Sequence, residues 1–241
     1  DPHVASLPKA TAAIRLIFPL IVKYGLKSGA EDVRKFALNQ ILELSRSGAE
    51  ALQEQAIALI LVLIDAVAAS QSSSLDYAQF HVSNPDALEM MRLADIEGKP
   101  EMEGVYQCLR MVASTDLKHL ASKLSEIIRT SVGLPARVAT AKTVQRIVVL
   151  FGQEAAPIAA TLWRVVTPLL LDASIATRMA FGSAAAALCR ISTDAQAAKV
   201  ILYVRDKYLQ PDVSSDLSRS AAKCLLALFR EKGDKLIRLL K

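Results

Sequence analysis

Histidine, cysteine and aromatic side chains are scarce in this chain: three His, three Cys, and 5% Phe, Trp and Tyr in 241 residues. Each scarcity removes a class of function. His3, His81 and His119 stand apart, and there is no H-E-x-x-H, no C-x-x-C and no G-x-x-x-x-G-K-[ST]. Zinc, dithiol and nucleotide-phosphate chemistry therefore lack their usual residues. "SLPK" at 6–9 has the S-x-x-K spacing, but four residues without companion motifs do not make a nucleophile. The acidic pairs Glu31/Asp32 and Glu101/Glu103 fall at helix starts, where they suit the helix dipole. No catalytic residue, cofactor-binding residue or metal ligand is assigned. The chain reads as a non-enzyme without cofactors.

Other shortages narrow the fold. Glycine and proline number nine each, too few turn residues for a β protein of this length, and strand-favouring aromatics are sparse. The most apolar run, residues 56–69, is short of the ~20 residues of a membrane span and is broken by Asp65. It is expected to be a buried helix, with no membrane insertion. Cys108, Cys189 and Cys224, an odd number without paired spacing, suit small core residues in a reducing compartment. Basic residues are not interleaved with aromatics that could stack on bases, so nucleic acid is not an expected partner.

What the chain does have is helical periodicity over a composition that is 52% hydrophobic and dominated by Leu, Ala, Ile and Val. Helices are predicted at about 8–27, 31–46, 49–69, 101–114, 116–131, 135–152, 154–171, 174–192, 194–209, 214–231 and from 234 onward. Breakers separate them: "SGAE" at 28–31 and again at 47–50, "GLP" at 133–135, "PDVSSD" at 211–216, and Gly233. Connections this short join antiparallel neighbours.

One residue recurs. Arg137, Arg178 and Arg219 are spaced by 41 and 41, each near the start of a helix with small residues one turn on, and Arg34 opens a similar helix in "EDVRKFALNQILELS". A period of 40–47 with two helices per unit is the mark of HEAT and armadillo arrays. The expected fold is thus all-α, an α-solenoid of about five antiparallel helix pairs and a partial sixth. Residues 1–241 are expected to form a single solenoid segment, with repeats at about 8–46, 49–114, 116–152, 154–192 and 194–231, and a start at 234–241. The interval from Arg34 to Arg137 exceeds two periods by 21 residues. The excess falls in an insert at about 70–100, in which Ala87–Ala94 could form a short helix and "SQSSS" and "SNP" are loop chemistry.

The arginines are expected to be structural, each stem covering apolar surface while the head bonds an adjoining unit or turn. Asp172, six residues before Arg178, suits a carboxylate–guanidinium bridge across the turn. Ser131 and Val213 stand in that place before Arg137 and Arg219, so such a bridge is not repeated. Charge is segregated too. Residues 199–241 carry ten basic and five acidic side chains, which equals the whole formal net charge of +5. An acidic partner or compensating acids in a following segment would each account for it. The chain opens on Asp1 rather than Met and closes on "GDKLIRLLK", which looks like the start of a further amphipathic helix. Both ends read as cuts in something longer.

The stretch from "DYAQFHVSNPDALEMMRLADIEGKPE" through "GVYQCLRM" to "LSEIIRTSVGLPARVATAK" resembles the family of HEAT-repeat proteasome adaptor and scaffold proteins. In that family a repeat helix precedes an insert with an arginine among small residues, here Arg92, then a helix with cysteine and leucine, here Cys108 and Leu109. A segment L-x-x-x-I-R-x-x-V-G-L-x-x-R/K follows, here Leu124, Ile128, Arg129, Val132, Gly133, Leu134 and Arg137. "FGSAAAALCRIS" and "KVILYVRDKYLQ" are similar to the next repeat. The departure is Pro135, which fits the first turn of a helix. The resemblance covers most of the chain, more closely over 75–210. It implies a non-enzymatic adaptor that associates with the proteasome, links or monitors its core and regulatory particles, and is cytoplasmic and nuclear. It transfers no partner-binding residue. Another HEAT scaffold, a nuclear transport receptor or a phosphatase scaffold subunit, remains the alternative, although the segment has no acidic run to receive basic cargo signals.

Overall fold

The helices stop where the backbone chemistry changes. In a computed structural model of the chain, which describes residues 2–47, 50–69, 81–131, 133–210 and 214–232, every regular element is helical. In chain order these are α1 (Pro2–Leu20), α2 (Glu31–Ser47), α3 (Ala56–Ala69), α4 (Pro85–Glu97), α5 (Pro100–Leu109), α6 (Leu117–Thr130), α7 (Leu134–Phe151), α8 (Ala159–Leu169), α9 (Ile175–Ile191), α10 (Asp194–Tyr208) and α11 (Ser215–Lys232). Prolines open α4, α5 and the first turn of α7, where the missing N–H costs no internal hydrogen bond. Gly152 ends α7 with φ +50°, a conformation that a side chain would strain. Thr193 and Gln196 close a reciprocal capping box on α10.

The boundaries depart from the sequence reading in physically instructive places. The first helix winds wider over Ile21–Leu26, as a π-helical turn. Two helices begin with 3-10 turns, Glu50–Gln55 before α3 and Gly152–Ile158 before α8. Pro157 lies in the second of these, so α8 starts only beyond it. The insert holds a longer helix than Ala87–Ala94, namely α4, begun by Asn84 Oδ1, which accepts from the Asp86 and Ala87 amides. Residues 70–80 of the insert and the helix expected from 234 lie outside the described residues.

The chain divides into two compact units, one of residues 1–70 and 98–116, the other of 71–97 and 117–241. In the first, α5 packs against α3 and α2. Residues 52–69 are long and apolar enough by composition to cross a membrane. Yet Leu59, Ile60, Leu63, Ile64 and Val67 are wholly buried, and α3 is a core helix of this unit. The π-helical turn packs against α2, at a point where only glycine fits. A β-carbon on Gly25 would lie 2.5 Å from Ala37 Cβ, an atom fixed to its backbone. Gly25→Ala must therefore push two helices apart and is expected to destabilise this unit by about 1–3 kcal/mol. A urea titration read on a probe within the unit measures it; an unchanged midpoint would show that the contact is slack.

The second unit is built around α9, which packs against α7 and α11 as well as α8 and α4. Its sequence explains that central place. Ala176, Ala180, Ala184, Ala185, Ala187 and Cys189 are all buried, and side chains this small let neighbouring helices come close. Phe181, wholly buried, fills the space they leave. Hairpin partners are joined as the short connections require, α6 with α7, α8 with α9, and α10 with α11, while α6 also meets α8. Trp163 on α8 donates from Nε1 to Ser192 Oγ at 2.7 Å, and that hydroxyl donates to Leu188 O at 2.6 Å. The large indole is thereby buried without an orphaned N–H.

Candidate functional site

The recurrent arginines share a position before they share a partner. Arg34, Arg137 and Arg178 are each the fourth residue of a helix, α2, α7 and α9 respectively. Each turns its head back to main-chain carbonyls five or six residues earlier, at the end of the preceding helix or in the turn beyond it. Arg34 Nη1 donates to Ser28 O at 2.8 Å and Gly29 O at 2.9 Å. Arg178 Nη1 donates to Asp172 O at 2.7 Å and Ala173 O at 2.9 Å. Arg137 Nε donates to Ser131 O at 3.0 Å. Helix C-termini leave carbonyls without internal donors and carry the negative end of the dipole. A guanidinium satisfies both.

Arg219 departs from this arrangement. It is exposed and faces Asp216 Oδ1 at 3.5 Å, while the position six residues before it, Val213, lies outside the described residues.

Asp172 also differs from expectation. Its carboxylate does not bridge to Arg178, which takes the Asp172 main-chain oxygen instead. Oδ2 accepts from Arg137 Nη1 at 3.2 Å, on the preceding helix pair, and Oδ1 accepts from the Ser174 amide at 3.0 Å. The reason is geometric. Arg178 Nη1 is taken up by the two main-chain carbonyls, while the packing of α7 against α9 brings Arg137 to the carboxylate. Asp172 thus ties α7 to the turn before α9, one repeat on, and at the same time shapes that turn.

A second tie, which the sequence reading did not single out, lies at the other end of these helices. Arg190 in the last turn of α9 donates from Nε and Nη2 to both carboxylate oxygens of Glu231 in the last turn of α11. The two residues are 41 apart, the same period that relates the arginines, so the spacing could have found them. The hydrogen bond from Arg190, and then its charge, hold the Glu231 carboxyl below its ordinary 4.5. A folded value below the unfolded one means the unfolded chain takes up the proton first as pH falls. The pair's contribution is complete above about pH 4.5 and disappears as pH drops through the depressed folded value. Arg190 is half exposed, so solvent screening limits the effect to about 0.5–1 kcal/mol. Glu231→Gln is expected to lower stability by that amount at pH 7 and to flatten the acid limb of a thermal-midpoint profile. A limb unchanged in slope would show that other carboxyls set it.

Among the described residues, no three His, Cys, Asp and Glu side chains cluster as a metal site would require. All three thiols are buried, and burial pushes those of Cys108 and Cys224 up to about 12, which keeps them protonated and inert. The insert adds a polar contact of another kind. Glu89 on α4 accepts from Ser174 Oγ at 2.8 Å and from the Ala176 amide at 3.2 Å, so a carboxylate sits at the start of α9. Glu97, at the far end of α4, pairs with Lys142 on α7.

Comparison with known proteins agrees with this helical, repeat-built arrangement. The family described as "Proteasome adapter and scaffold protein ECM29, HEAT-repeat domain" matches residues 52–209. The human proteasome adapter and scaffold protein ECM29 is 23% identical over 214 residues, which are 88% of this chain and 12% of that protein. Proteasome component ecm29 of Schizosaccharomyces pombe is 20% identical over 216 residues, 88% of this chain and 13% of the relative. The Saccharomyces cerevisiae protein of that name is 21% identical over 192 residues, 78% of this chain and 10% of its own length. The chain thus spans about an eighth of the curated relatives it matches. No solved structure matches. With well over half of its residues inside the family's span, and with arginines at a 41-residue period bonding successive turns, the chain belongs to the HEAT-repeat domain family of the proteasome adapter and scaffold protein ECM29.

Proposed function

We propose that this chain is a non-enzymatic scaffold segment of a proteasome adapter, and that the protein carrying it associates with the core and regulatory particles of the proteasome in cytoplasm and nucleus. The family match over 52–209 carries this reading. The physical character of the segment supports it. Its conspicuous polar side chains, Arg137, Arg178, Asp172, Arg190 and Glu231, bond helix ends and turns to one another rather than converge on a pocket. Stacked helix pairs of this kind serve as extended binding surfaces. Affinity capture of the full-length parent tests the proposal. Subunits of both proteasome particles should co-purify, and a fluorescent fusion should fill cytoplasm and nucleus. Recovery of transport factors or phosphatase subunits without proteasome would overturn it.

A further inference from the structure

Helix α4 is an addition to the repeat. It falls in the stretch by which the Arg34–Arg137 interval exceeds two periods, yet it packs within the second unit against α7 and α9. Its attachment differs from that of the helices beneath it. Of its 13 residues only Leu93 and Ile96 are buried, and Met91 is 46% exposed. By contrast α9 buries 13 of its 17 residues. Glu89, Leu93, Ile96 and Glu97 stand at i, i+4, i+7 and i+8, which is one face of a helix. The two carboxylates bracket the two apolar side chains. Glu89 meets the Ser174 hydroxyl and the Ala176 amide, and Glu97 meets Lys142, whose side chain is only 17% exposed.

The underlying surface is therefore complementary to a short acidic amphipathic helix. It offers hydrogen-bond donors at one end, a half-sunk ammonium at the other, and an apolar footprint between them. We propose that this α7–α9 face is a docking surface for such a helix from a partner protein, with α4 as its built-in occupant, displaced when the partner binds. The motif that the partner must present is an acidic residue, an apolar residue four positions on, a second apolar residue three further, and an acidic residue next to it. Because α4 is tethered, it competes at an effective concentration on the order of millimolar. A partner helix must exceed that or meet a chain whose α4 has been released.

The test uses the whole 241-residue chain. In Glu89→Lys/Glu97→Lys, amide hydrogen exchange across 85–97 is expected to accelerate by roughly 100-fold or more, with α7 and α9 protected as before beyond the first turn of α9. An acetylated, amidated peptide of residues 85–97 should then bind this variant at least about 10-fold more tightly than it binds the unaltered chain. The same peptide with both glutamates changed to lysine should not bind. Lys142→Glu should also loosen α4, and Lys142→Glu/Glu97→Lys should restore its protection. Three results would overturn the proposal. Unchanged exchange in α4 would mean that the carboxylates do not hold it. Loss of protection throughout α7 and α9 would make α4 an integral part of the core. Failure of the peptide to bind a loosened chain, including the case in which released helices pair two chains instead, would leave no docking surface for a partner.

Discussion

Arg178→Ala is expected to destabilise the unit containing α9 by about 1.5–3 kcal/mol, the range for hydrogen bonds with a charged donor. The side chain is 9% exposed, and its Nη1 alone satisfies the carbonyls of Asp172 and Ala173. Truncation leaves both oxygens to be reached by water in a turn that α4 partly covers through Glu89 and Ser174. It also frees Asp172 to move, and with it the 3.2 Å contact to Arg137 on the preceding pair. A drop in thermal midpoint of roughly 5–10 °C would record the loss. Because both bonds issue from one nitrogen and Nε is buried without a partner, Arg178→Lys should recover part of the difference. An alanine variant with an unchanged midpoint would reduce the arginine to a stem that covers apolar surface.

Phe181→Ala should cost more, about 3–5 kcal/mol. The ring is wholly buried on α9, and Ala184 and Ala185 one turn on are too small to fill the void it would leave. Phe36, which is 67% exposed on α2, supplies the control: Phe36→Ala should leave stability nearly unchanged. The two phenylalanines lie in different units, so unfolding should be followed by probes in each, because one midpoint for the chain need not be well defined. Equal effects from the two substitutions would contradict the burial on which this rests.

The helical class and the period are legible in the sequence because both are local. A side chain at the fourth position of a helix reaches the turn behind it whatever the rest of the molecule does, and Arg34, Arg137 and Arg178 do so alike. The partner of Asp172 is not legible. Arg178, six residues away, is the obvious candidate, whereas Arg137 is 35 residues away and reaches it only because consecutive pairs stack. Arg190 and Glu231 carry the period openly, but arginine and glutamate near helix ends are also ordinary solvated residues, and nothing local distinguishes a bond between helices from two exposed charges. The insert shows the same division. Asn84 and Pro85 mark the start of α4 in the sequence, while its seat on α7 and α9 depends on Glu89 meeting a helix start 85 residues further on.

The two ties of α9 have a mechanical consequence. The turn leading into α9 is fastened to α7 through Asp172 and Arg137, and its other end to α11 through Arg190 and Glu231. α9 is thereby pinned to its two neighbours at opposite ends as well as packed against both. Rotation of neighbouring pairs against each other stretches charged contacts at the rim, whereas the alanine-rich middle has little side-chain length to shear. With so little side-chain length to take up a shift, that middle holds the neighbouring helices in register, and the two ties pin the register at either end of α9.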